Sequence, residues 1–222
     1  MKRINHALIM AAGRGMRMLP LTDAIPKAMA EVDGNTLIYH GIEKLMATVH
    51  DIQIHITVGY KKAMLASHVI EKNISSVINT EGKGNAWWIF NSLLCNLDEP
   101  ILVLTCDNIT DLNIEHIVQD YKALNEPACM IIPVAPIKGL EGDFIEHENN
   151  FVKSLSRENE TKIYCSGIQV LNPAKVRNLV EPTESFNDIW ETLIRKNELK
   201  CSRIYPDNWF AIDTLNQLEQ YK

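Results

Sequence analysis

The chain has 222 residues, of which 46% are hydrophobic and 23% are charged, and its formal net charge is −6 at pH 7. These proportions predict a globular chain with a sizeable core, and the acidic balance argues against a nucleic-acid partner, whose binding usually needs a basic surface. No stretch reaches the roughly 18 apolar residues of a membrane span, and the apolar run 7–12 is too short for a signal-peptide core, so we expect a cytoplasmic protein without a membrane partner.

Short apolar runs alternate with helical patterns in the first part of the chain. Five runs predict buried strands, at residues 7–10, 52–58, 76–79, 101–105 and 128–133. Four segments predict helices, at residues 36–48, 61–71, 85–97 and 114–125. This alternation predicts an α/β fold of the Rossmann-like three-layer type, with a mostly parallel central sheet between helices.

The pattern changes in the second part. Residues 144–147 and 151–156 flank Glu148-Asn149-Asn150, which predicts a small appended hairpin. Further strands are predicted at 162–170 and 201–205, a short helix opens at Asn172-Pro173, and residues 187–196 look helical. A closing helix is predicted at 214–221, capped by Asp213 or Thr214.

A glycine-rich segment with basic residues follows the first strand, and we call residues 13–27 the glycine loop. Gly13 and Gly15 can bring backbone N–H groups close to an anion because no Cβ stands in the way. Arg14, Arg17 and Lys27 supply positive charge. The loop lies at the carboxyl end of the first strand, where open α/β sheets bind ligands. The segment therefore predicts a phosphate site.

Two familiar phosphate-binding motifs that also contain glycines fit this loop less well. A dinucleotide-binding turn needs a third glycine, but Met18 stands in that place. A P-loop needs Gly-Lys-Ser/Thr after four spacer residues, and nothing here matches it. A plain glycine turn with basic residues facing solvent remains an alternative.

The full loop pattern resembles a known signature. Ala11-Ala12-Gly13-x-Gly15-x-Arg17, followed by Pro20-Leu21-Thr22 and Pro26-Lys27, is similar to that of sugar-1-phosphate nucleotidylyltransferases and related cytidylyltransferases. The resemblance implies a Rossmann-like fold and catalytic roles for Arg17, which holds the triphosphate, and Lys27, which bridges donor and acceptor phosphates. It also implies nucleotide contacts from the residues of the turn, which are Ala11, Ala12, Gly13, Arg14 and Gly15. Met16 replaces the usual threonine.

Two carboxylates are candidate ligands for Mg²⁺, the cofactor that we expect. Asp107 follows the strand at 101–105, in the same crevice as the glycine loop; a helix cap is the alternative, although Asp111 and Asn113 suit that role better. Asp213 lies in a segment from Asn208 to Thr214 that resembles the family's Trp-x-x-Ile-Asp/Gly-Thr ending, and the resemblance implies a metal contact there. Spacing alone allows Asp213 to be a helix cap instead.

The five cysteines include no Cys-x-x-Cys pair, so reduced thiols are expected.

The segment from Asn79 to Trp87 resembles the part of these enzymes that reads the base. Asn79 would lie at the base edge, and Gly84 and Asn85 would open the following helix. A carboxamide both donates and accepts hydrogen bonds, which suits cytosine or uracil. The alternative is an ordinary turn in which Asn85 caps the helix. Trp87 is either a core residue or part of the acceptor site.

The second part departs from the sugar enzymes. Ser154-Leu155-Ser156-Arg157 stands where they carry Glu-Lys-Pro, and Cys165-Ser166-Gly167-Ile168 replaces Asn-Ala-Gly. These segments grip the hexose, so a hexose-1-phosphate acceptor is in doubt. The pattern resembles small cytidylyltransferases of surface-polysaccharide pathways, among them those that make CDP-L-glutamine from CTP and L-glutamine phosphate for capsular phosphoramidate. Candidate acceptor contacts are Trp87, Ser166, Gly167, Arg157 and Lys138.

These observations predict one nucleotidyltransferase domain over residues 1–222, with residues 1–135 mainly binding nucleotide and residues 136–222 mainly binding acceptor. The expected partners are a nucleoside triphosphate, with CTP favoured, and a small phosphorylated acceptor. Sugar-1-phosphates and phosphocholine are alternative acceptors. A dinucleotide-binding oxidoreductase and a non-catalytic nucleotide-binding protein are alternatives of another class. The sequence leaves the oligomeric state open, with a homodimer as one option.

Overall fold

The computed structural model describes residues 4–137 and 142–221 and has an α/β fold with a mostly parallel central sheet. In chain order the strands are β1 (His6–Met10), β2 (Glu31–Val32), β3 (Asn35–Thr36), β4 (Gln53–Val58), β5 (Ser76–Asn79), β6 (Ile101–Thr105), β7 (Asn108–Thr110), β8 (Cys129–Val134), β9 (Phe144–Glu148), β10 (Phe151–Ser156), β11 (Tyr164–Leu171), β12 (Leu199–Cys201) and β13 (Trp209–Ala211). The α-helices are α1 (Leu21–Ala24), α2 (Leu37–Thr48), α3 (Lys62–Ile70), α4 (Trp87–Asn91), α5 (Ile114–Ala123), α6 (Pro173–Leu179), α7 (Phe186–Arg195) and α8 (Leu215–Gln220).

The central sheet has nine strands in the order β5-β4-β1-β6-β11-β8-β12-β10-β9. The first four strands in this order are parallel neighbours, with His6 of β1 paired to Gln53 of β4 on one side and to Ile101 of β6 on the other. Strand β11 runs antiparallel between β6 and β8, so a strand from the second part of the chain lies inside the sheet. Because β1, β4 and β6 are in register and parallel, the segments that follow them meet at one edge.

Helices cover both faces of the sheet, as expected from the apolar strands. Along β1, Ala7 and Ile9 belong to one core cluster, which includes buried residues of α2, α3 and α5. Leu8 belongs to the other cluster, which includes buried residues of α4, α6 and α7. This alternation confirms the predicted three-layer arrangement. No helix in ranges 4–137 and 142–221 is long and apolar enough to cross a bilayer.

Several predicted elements need correction. The helix predicted at 85–97 is two pieces, because Ser92 is extended and its hydroxyl donates to Trp88 O and accepts from Leu94 N–H, which starts a 3-10 turn. The strand predicted at 201–205 overlaps β12 (Leu199–Cys201) only at Cys201, because the chain leaves the strand at Ser202, whose hydroxyl donates to Asp120 Oδ2. The two-stranded pairs β2–β3 and β7–β13 were not predicted.

The hairpin prediction is confirmed. Glu148 pairs with Phe151, and the connecting residues Asn149 and Asn150 have φ of 51° and 66°. Two left-handed residues in a two-residue connection are typical of a type I′ turn, where asparagine is favoured. The Asn150 carboxamide also donates to Cys201 O at 2.9 Å, which joins the turn to β12.

Two histidines lie side by side on the neighbouring strands β1 and β4. His6 Nδ1 and His55 Nε2 are 3.1 Å apart, and His55 Nδ1 is 2.8 Å from Ser76 Oγ. Burial, with a smaller effect from the adjacent His6, lowers the pKa of His55 to about 4. Burial also lowers the pKa of His6, partly offset by Glu99.

We predict that this pair makes the fold acid-sensitive. The unfolded chain binds a proton on His55 near its ordinary pKa of 6.5, whereas the folded pKa is about 4, so stability is present above pH 6.5 and is lost as the pH falls toward 4. Urea denaturation should show a loss of about 1–2 kcal/mol between pH 7 and pH 5 that is smaller in His55→Gln. The surface change His147→Gln is the control. Equal pH slopes in wild type and His55→Gln would contradict the prediction.

A buried carboxylate joins α5 to the segment after β12. Asp120 accepts hydrogen bonds from the Ser202 hydroxyl at 2.7 Å, the Arg203 backbone N–H at 2.9 Å and Arg203 Nε at 2.6 Å. Asp120 is 3% exposed, so its charge depends on these donors for stabilisation.

We predict that Asp120→Ala lowers the free energy of unfolding by about 2–3 kcal/mol, because a buried hydroxyl and a backbone N–H lose their acceptor. Asp120→Asn should cost less, since the carboxamide keeps one oxygen acceptor. Chemical denaturation measures both variants, and an Asp120→Ala protein as stable as wild type would exclude this role.

Candidate active site

The glycine loop begins where β1 ends and is anchored to the two strands beside it. The Ala11 N–H donates to Thr57 Oγ1 of β4 at 3.1 Å, and Cys106 N–H, after β6, donates to Met10 O at 3.1 Å. Gly59 permits a close approach, because a Cβ there would lie 2.6 Å from Ala12 O. The start of the loop is therefore fixed by its neighbours.

The apex of the loop requires a glycine. Gly15 has φ of 68°, and a Cβ at this position would lie 2.8 Å from Lys27 Cβ. Gly15 O accepts hydrogen bonds from Met18 N–H at 2.9 Å and from the buried Thr22 hydroxyl at 3.0 Å. The turn thus brings Gly15 against Lys27.

Lys27 is the centre of the site. It is 8% exposed, and its Nζ donates to Asp107 Oδ2 at 2.5 Å and to Asp213 Oδ1 at 2.6 Å. Arg17 Nη2 lies 3.0 Å from the same Asp213 oxygen. The structure therefore brings together both residues predicted to be catalytic and both predicted to bind metal.

Electrostatics keep Lys27 and Asp107 charged. Burial by itself lowers the pKa of Lys27, but Asp107 and Asp213, together with the nearby Cys106, outweigh it and raise the pKa to about 12. Burial raises the pKa of Asp107, but the Lys27 charge and hydrogen bonds from Lys27 and Thr105 outweigh it and hold the pKa below its ordinary value. Lys27 consequently carries a fixed positive charge at neutral pH.

A short two-stranded pairing delivers Asp213 to the site. Strand β13 pairs with β7, and Ile212 N–H donates to Asp107 O at 3.0 Å, so the two carboxylate residues are adjacent in space. Thr214 caps α8 in a capping box with Gln217, whereas Asn113 caps α5. The helix-cap alternatives for Asp107 and Asp213 are therefore wrong.

The predicted base segment contacts the second part of the chain. Gly84 N–H donates to Glu184 Oε2 at 2.9 Å, and a Cβ on Gly84 would lie 2.1 Å from Glu184 O. Asn85 Oδ1 accepts from Phe186 N–H at 3.1 Å, so Asn85 does not cap α4, whose N-cap is Ala86. Asn79 is exposed at the end of β5, with its Oδ1 accepting from Glu81 N–H. The base-reading roles stay predictions.

The candidate acceptor residues differ in exposure. Trp87 is half-buried, with Lys83 Nζ 5.9 Å from its ring centroid. Ser166 is buried, and its hydroxyl donates to Ile132 O at 2.7 Å and accepts from Ile168 N–H. To donate to an acceptor, that hydroxyl would have to give up its bond to Ile132 O, whereas one of its lone pairs is not used by these two bonds.

The remaining acceptor candidates also have internal contacts. Gly167 has φ of 78°, and a Cβ there would lie 3.1 Å from Thr105 Cγ2. Arg157 is paired with Asp143 at 3.1 Å. Lys138 lies outside the described residues. The acceptor roles stay predictions.

Sequence reasoning missed Thr57, Gly59 and Glu184. Thr57 and Gly59 lie at the carboxyl end of β4, and the edge rule for parallel strands could have indicated them. Glu184 contacts a residue 100 positions away, and no local pattern marks it. Within the described ranges, no three His, Cys, Asp or Glu side chains form a group suited to hold a metal by themselves.

Known proteins with this fold and sequence pattern are numerous. The chain is 27% identical over 130 residues to UTP–glucose-1-phosphate uridylyltransferase AglF of Haloferax volcanii, covering 57% of this chain and 53% of that protein. It is 24% identical over 209 residues to mannose-1-phosphate guanyltransferase of Emericella nidulans, covering 87% of this chain and 57% of that protein. The chain thus spans about half the length of these curated relatives.

The fold comparison extends over nearly the whole chain. The inositol-1-phosphate CTP transferase of T. maritima superposes with a TM-score of 0.80 and 15% identity, covering 98% of this chain and 93% of that one. The family model described as "Nucleotidyl transferase" matches residues 6–140, which include the glycine loop and Asp107. The chain belongs to the nucleotidyl transferase family.

Proposed function

We propose that this protein transfers a nucleoside monophosphate from a nucleoside triphosphate to a small phosphorylated acceptor and releases pyrophosphate. The observation that carries the proposal is the Lys27 ammonium group, held between Asp107 and Asp213 directly beside the glycine turn. Residues 1–135 then mainly bind the nucleotide, and residues 136–222 mainly bind the acceptor.

Charge balance supports a requirement for Mg²⁺. The positive charges of Lys27 and Arg17 are matched by the negative charges of Asp107 and Asp213, so the cluster has no net positive charge to offset a triphosphate. Two carboxylates, completed by phosphate oxygens and water, are a donor set that Mg²⁺ prefers. The residues present therefore fit the ion, with Asp107 and Asp213 as its holders; when bound, it would supply positive charge to the phosphates.

The chain's own residues position the reaction. Backbone N–H groups at Gly13 and Gly15 are suited to hold the triphosphate, while Arg17 and Lys27 provide fixed positive charge near the reacting phosphates. An acceptor phosphate oxygen forms a bond to the α-phosphorus, and the bond from that phosphorus to the pyrophosphate oxygen breaks. The acceptor is already anionic at neutral pH, so no side chain has to remove a proton. Lys27, with a pKa of about 12, acts as a charge and not as a base.

We infer that CTP is the preferred donor. By resemblance, the exposed Asn79 carboxamide at the end of β5 takes the place at which the family reads the base, and its donor and acceptor suit cytosine or uracil. The activity for which the T. maritima neighbour is named, transfer from CTP, supports the same choice. The names of the curated relatives support sugar-1-phosphates with UTP or GTP as the alternative.

L-Glutamine phosphate is our favoured acceptor, which would give CDP-L-glutamine for modification of a capsular polysaccharide. The support is the loss of both hexose-gripping motifs, at 154–157 and 165–168, and the likeness to small cytidylyltransferases. Phosphocholine is a further alternative acceptor.

We predict pyrophosphate release from the purified protein with Mg²⁺, CTP and a phosphorylated acceptor. Lys27→Ala or Asp107→Asn should lower kcat by about 10²–10⁴-fold, since each removes charge next to the reacting phosphates. Lys44→Ala is the matched control, because it removes a half-buried lysine that is paired with Asp111. If the folded wild type released no pyrophosphate with any of the four triphosphates and a broad acceptor panel, the proposal would be excluded.

A charge-neutral pair of variants separates catalysis from a purely structural ion pair. The double change of Lys27→Gln with Asp107→Asn removes one charge of each sign, so it should recover stability lost by Lys27→Gln alone but not turnover. A non-catalytic nucleotide-binding protein would instead bind triphosphate without any wild-type turnover.

We predict that the mass of the nucleotide product identifies the preferred acceptor. With CTP, L-glutamine phosphate should give CDP-L-glutamine with a kcat/KM about 100-fold above glucose-1-phosphate, mannose-1-phosphate and phosphocholine, because a site built for polar groups rejects acceptors that leave them unpaired. A sugar nucleotide as the dominant product would show that the acceptor is a hexose phosphate.

A further inference from the structure

We propose that Tyr60 is a positioning residue of the glycine loop, which holds the loop ready for the triphosphate and orients Arg14; this inference rests on the proposed nucleotidyl transfer. Tyr60 follows Gly59, just after the carboxyl end of β4, which is the strand next to β1 in the sheet. It makes three separate contacts with the loop and its flanks.

Two of the contacts are hydrogen bonds, one to the residue just before the loop and one to a distant point within it. Tyr60 N–H donates to Ala12 O at 3.0 Å, and its phenol hydroxyl donates to Thr22 O at 2.9 Å. One residue therefore fixes both the entry of the glycine turn and the start of α1. The absence of a side chain at Gly59 makes this approach sterically feasible.

Thr22 connects the Tyr60 hydrogen bond to Gly15 at the apex of the loop. Its side chain is fully buried, and its hydroxyl donates to Gly15 O at 3.0 Å. Tyr60, Thr22 and Gly15 thus form a chain of hydrogen bonds. All of these bonds end on carbonyl oxygens, at Ala12 just before the loop and at Thr22 and Gly15 within it, so the restraint uses none of the loop N–H groups that would bind phosphate.

The third contact is with Arg14. Its guanidinium carbon lies 5.3 Å from the Tyr60 ring centroid, within the range of a cation–π interaction. Asp23 Oδ1 lies 3.9 Å from Arg14 Nη2 on the exposed side. A long arginine side chain loses rotamer freedom when it binds an anion, so a preformed position favours binding.

The same ring gathers a second positive charge. Lys61 Nζ lies 5.5 Å from the Tyr60 ring centroid, and Lys61 is held in a left-handed conformation with φ of 50°. Arg14 and Lys61 therefore share one aromatic ring at the outer side of the loop. The repulsion between these two positive charges would be reduced by a bound polyanion, and the distal phosphates of a triphosphate are such a polyanion.

The kinetic test compares two variants of Tyr60, with CTP and Mg²⁺ as the probe. Tyr60→Phe keeps the ring and removes the bond to Thr22 O, so the KM for CTP should rise about 3- to 10-fold. Tyr60→Leu also removes the ring and should raise it about 10- to 50-fold. The acceptor KM should change by less than about 2-fold in both, because the contacts are confined to the donor loop. An unchanged KM for CTP in Tyr60→Leu would overturn the proposal.

A double-mutant cycle separates positioning from general packing. In an Arg14→Ala background, Tyr60→Leu should have a smaller effect than in wild type, because part of its action passes through Arg14. Tyr39→Leu is the control: Tyr39 lies under another lysine, with Lys72 Nζ at 4.7 Å, and its loss should leave the KM for CTP within about 2-fold. Additive effects of Tyr60 and Arg14, or an equal rise of both KM values with a lower Tm, would indicate a structural role only.

Amide hydrogen exchange of the ligand-free protein keeps this inference separate from the proposed function. Exchange over residues 11–22 should be faster in Tyr60→Leu, with the rest of the chain unchanged. If the wild type shows no turnover, the function fails and exchange still decides whether Tyr60 holds the loop. Unchanged exchange at 11–22 would overturn the proposal even in an active enzyme.

Discussion

The structure depends on the burial of one ammonium group. Lys27 is almost fully enclosed, and an enclosed charge without partners would cost several kcal/mol. Its two carboxylates stand 80 and 186 positions away along the chain. Pairing the Lys27 charge with both carboxylates therefore requires the segment that carries Asp213 to lie next to the loop that follows the first strand. The β7–β13 pairing and the capped helix α8 are the elements that make this return.

Parallel strands explain why so many polar groups converge there. Because β4, β1 and β6 are neighbours in register, Gly59, the glycine turn and Asp107 follow them at one edge. Apolar side chains on both faces of these strands fix the sheet between its helices. The polar residues stand where the strands stop and no core side chain competes with them. A rigid core thus positions groups that contribute little to it.

Local patterns predicted the strands β1, β4, β5, β6 and β8, the hairpin and the helix start at Asn172, because those elements depend on neighbouring residues. The glycine loop, Lys27 and Asp107 could be predicted for the same reason. For α5 the local patterns offered Asp111 and Asn113 as caps, and Asn113 is the one that the structure uses. The interruption of the predicted helix 85–97 at Ser92 depends on one hydroxyl, and the three-residue strands β7 and β13 exist only through their mutual pairing. Contacts such as Gly84 with Glu184 join residues about a hundred positions apart, and a single sequence does not mark them.

The bonds around Gly84 limit how this protein can be re-engineered. Backbone groups of Gly84 and Ala86 bind Glu184, and the Asn85 side chain binds the first turn of α7 at Phe186. The segment before α4 and the start of α7 are therefore one structural unit. Replacing residues 136–222 by those of a relative would break this unit, unless residues 84–86 were replaced from the same relative. The two parts of the chain are not interchangeable modules, and chimeras must be cut elsewhere.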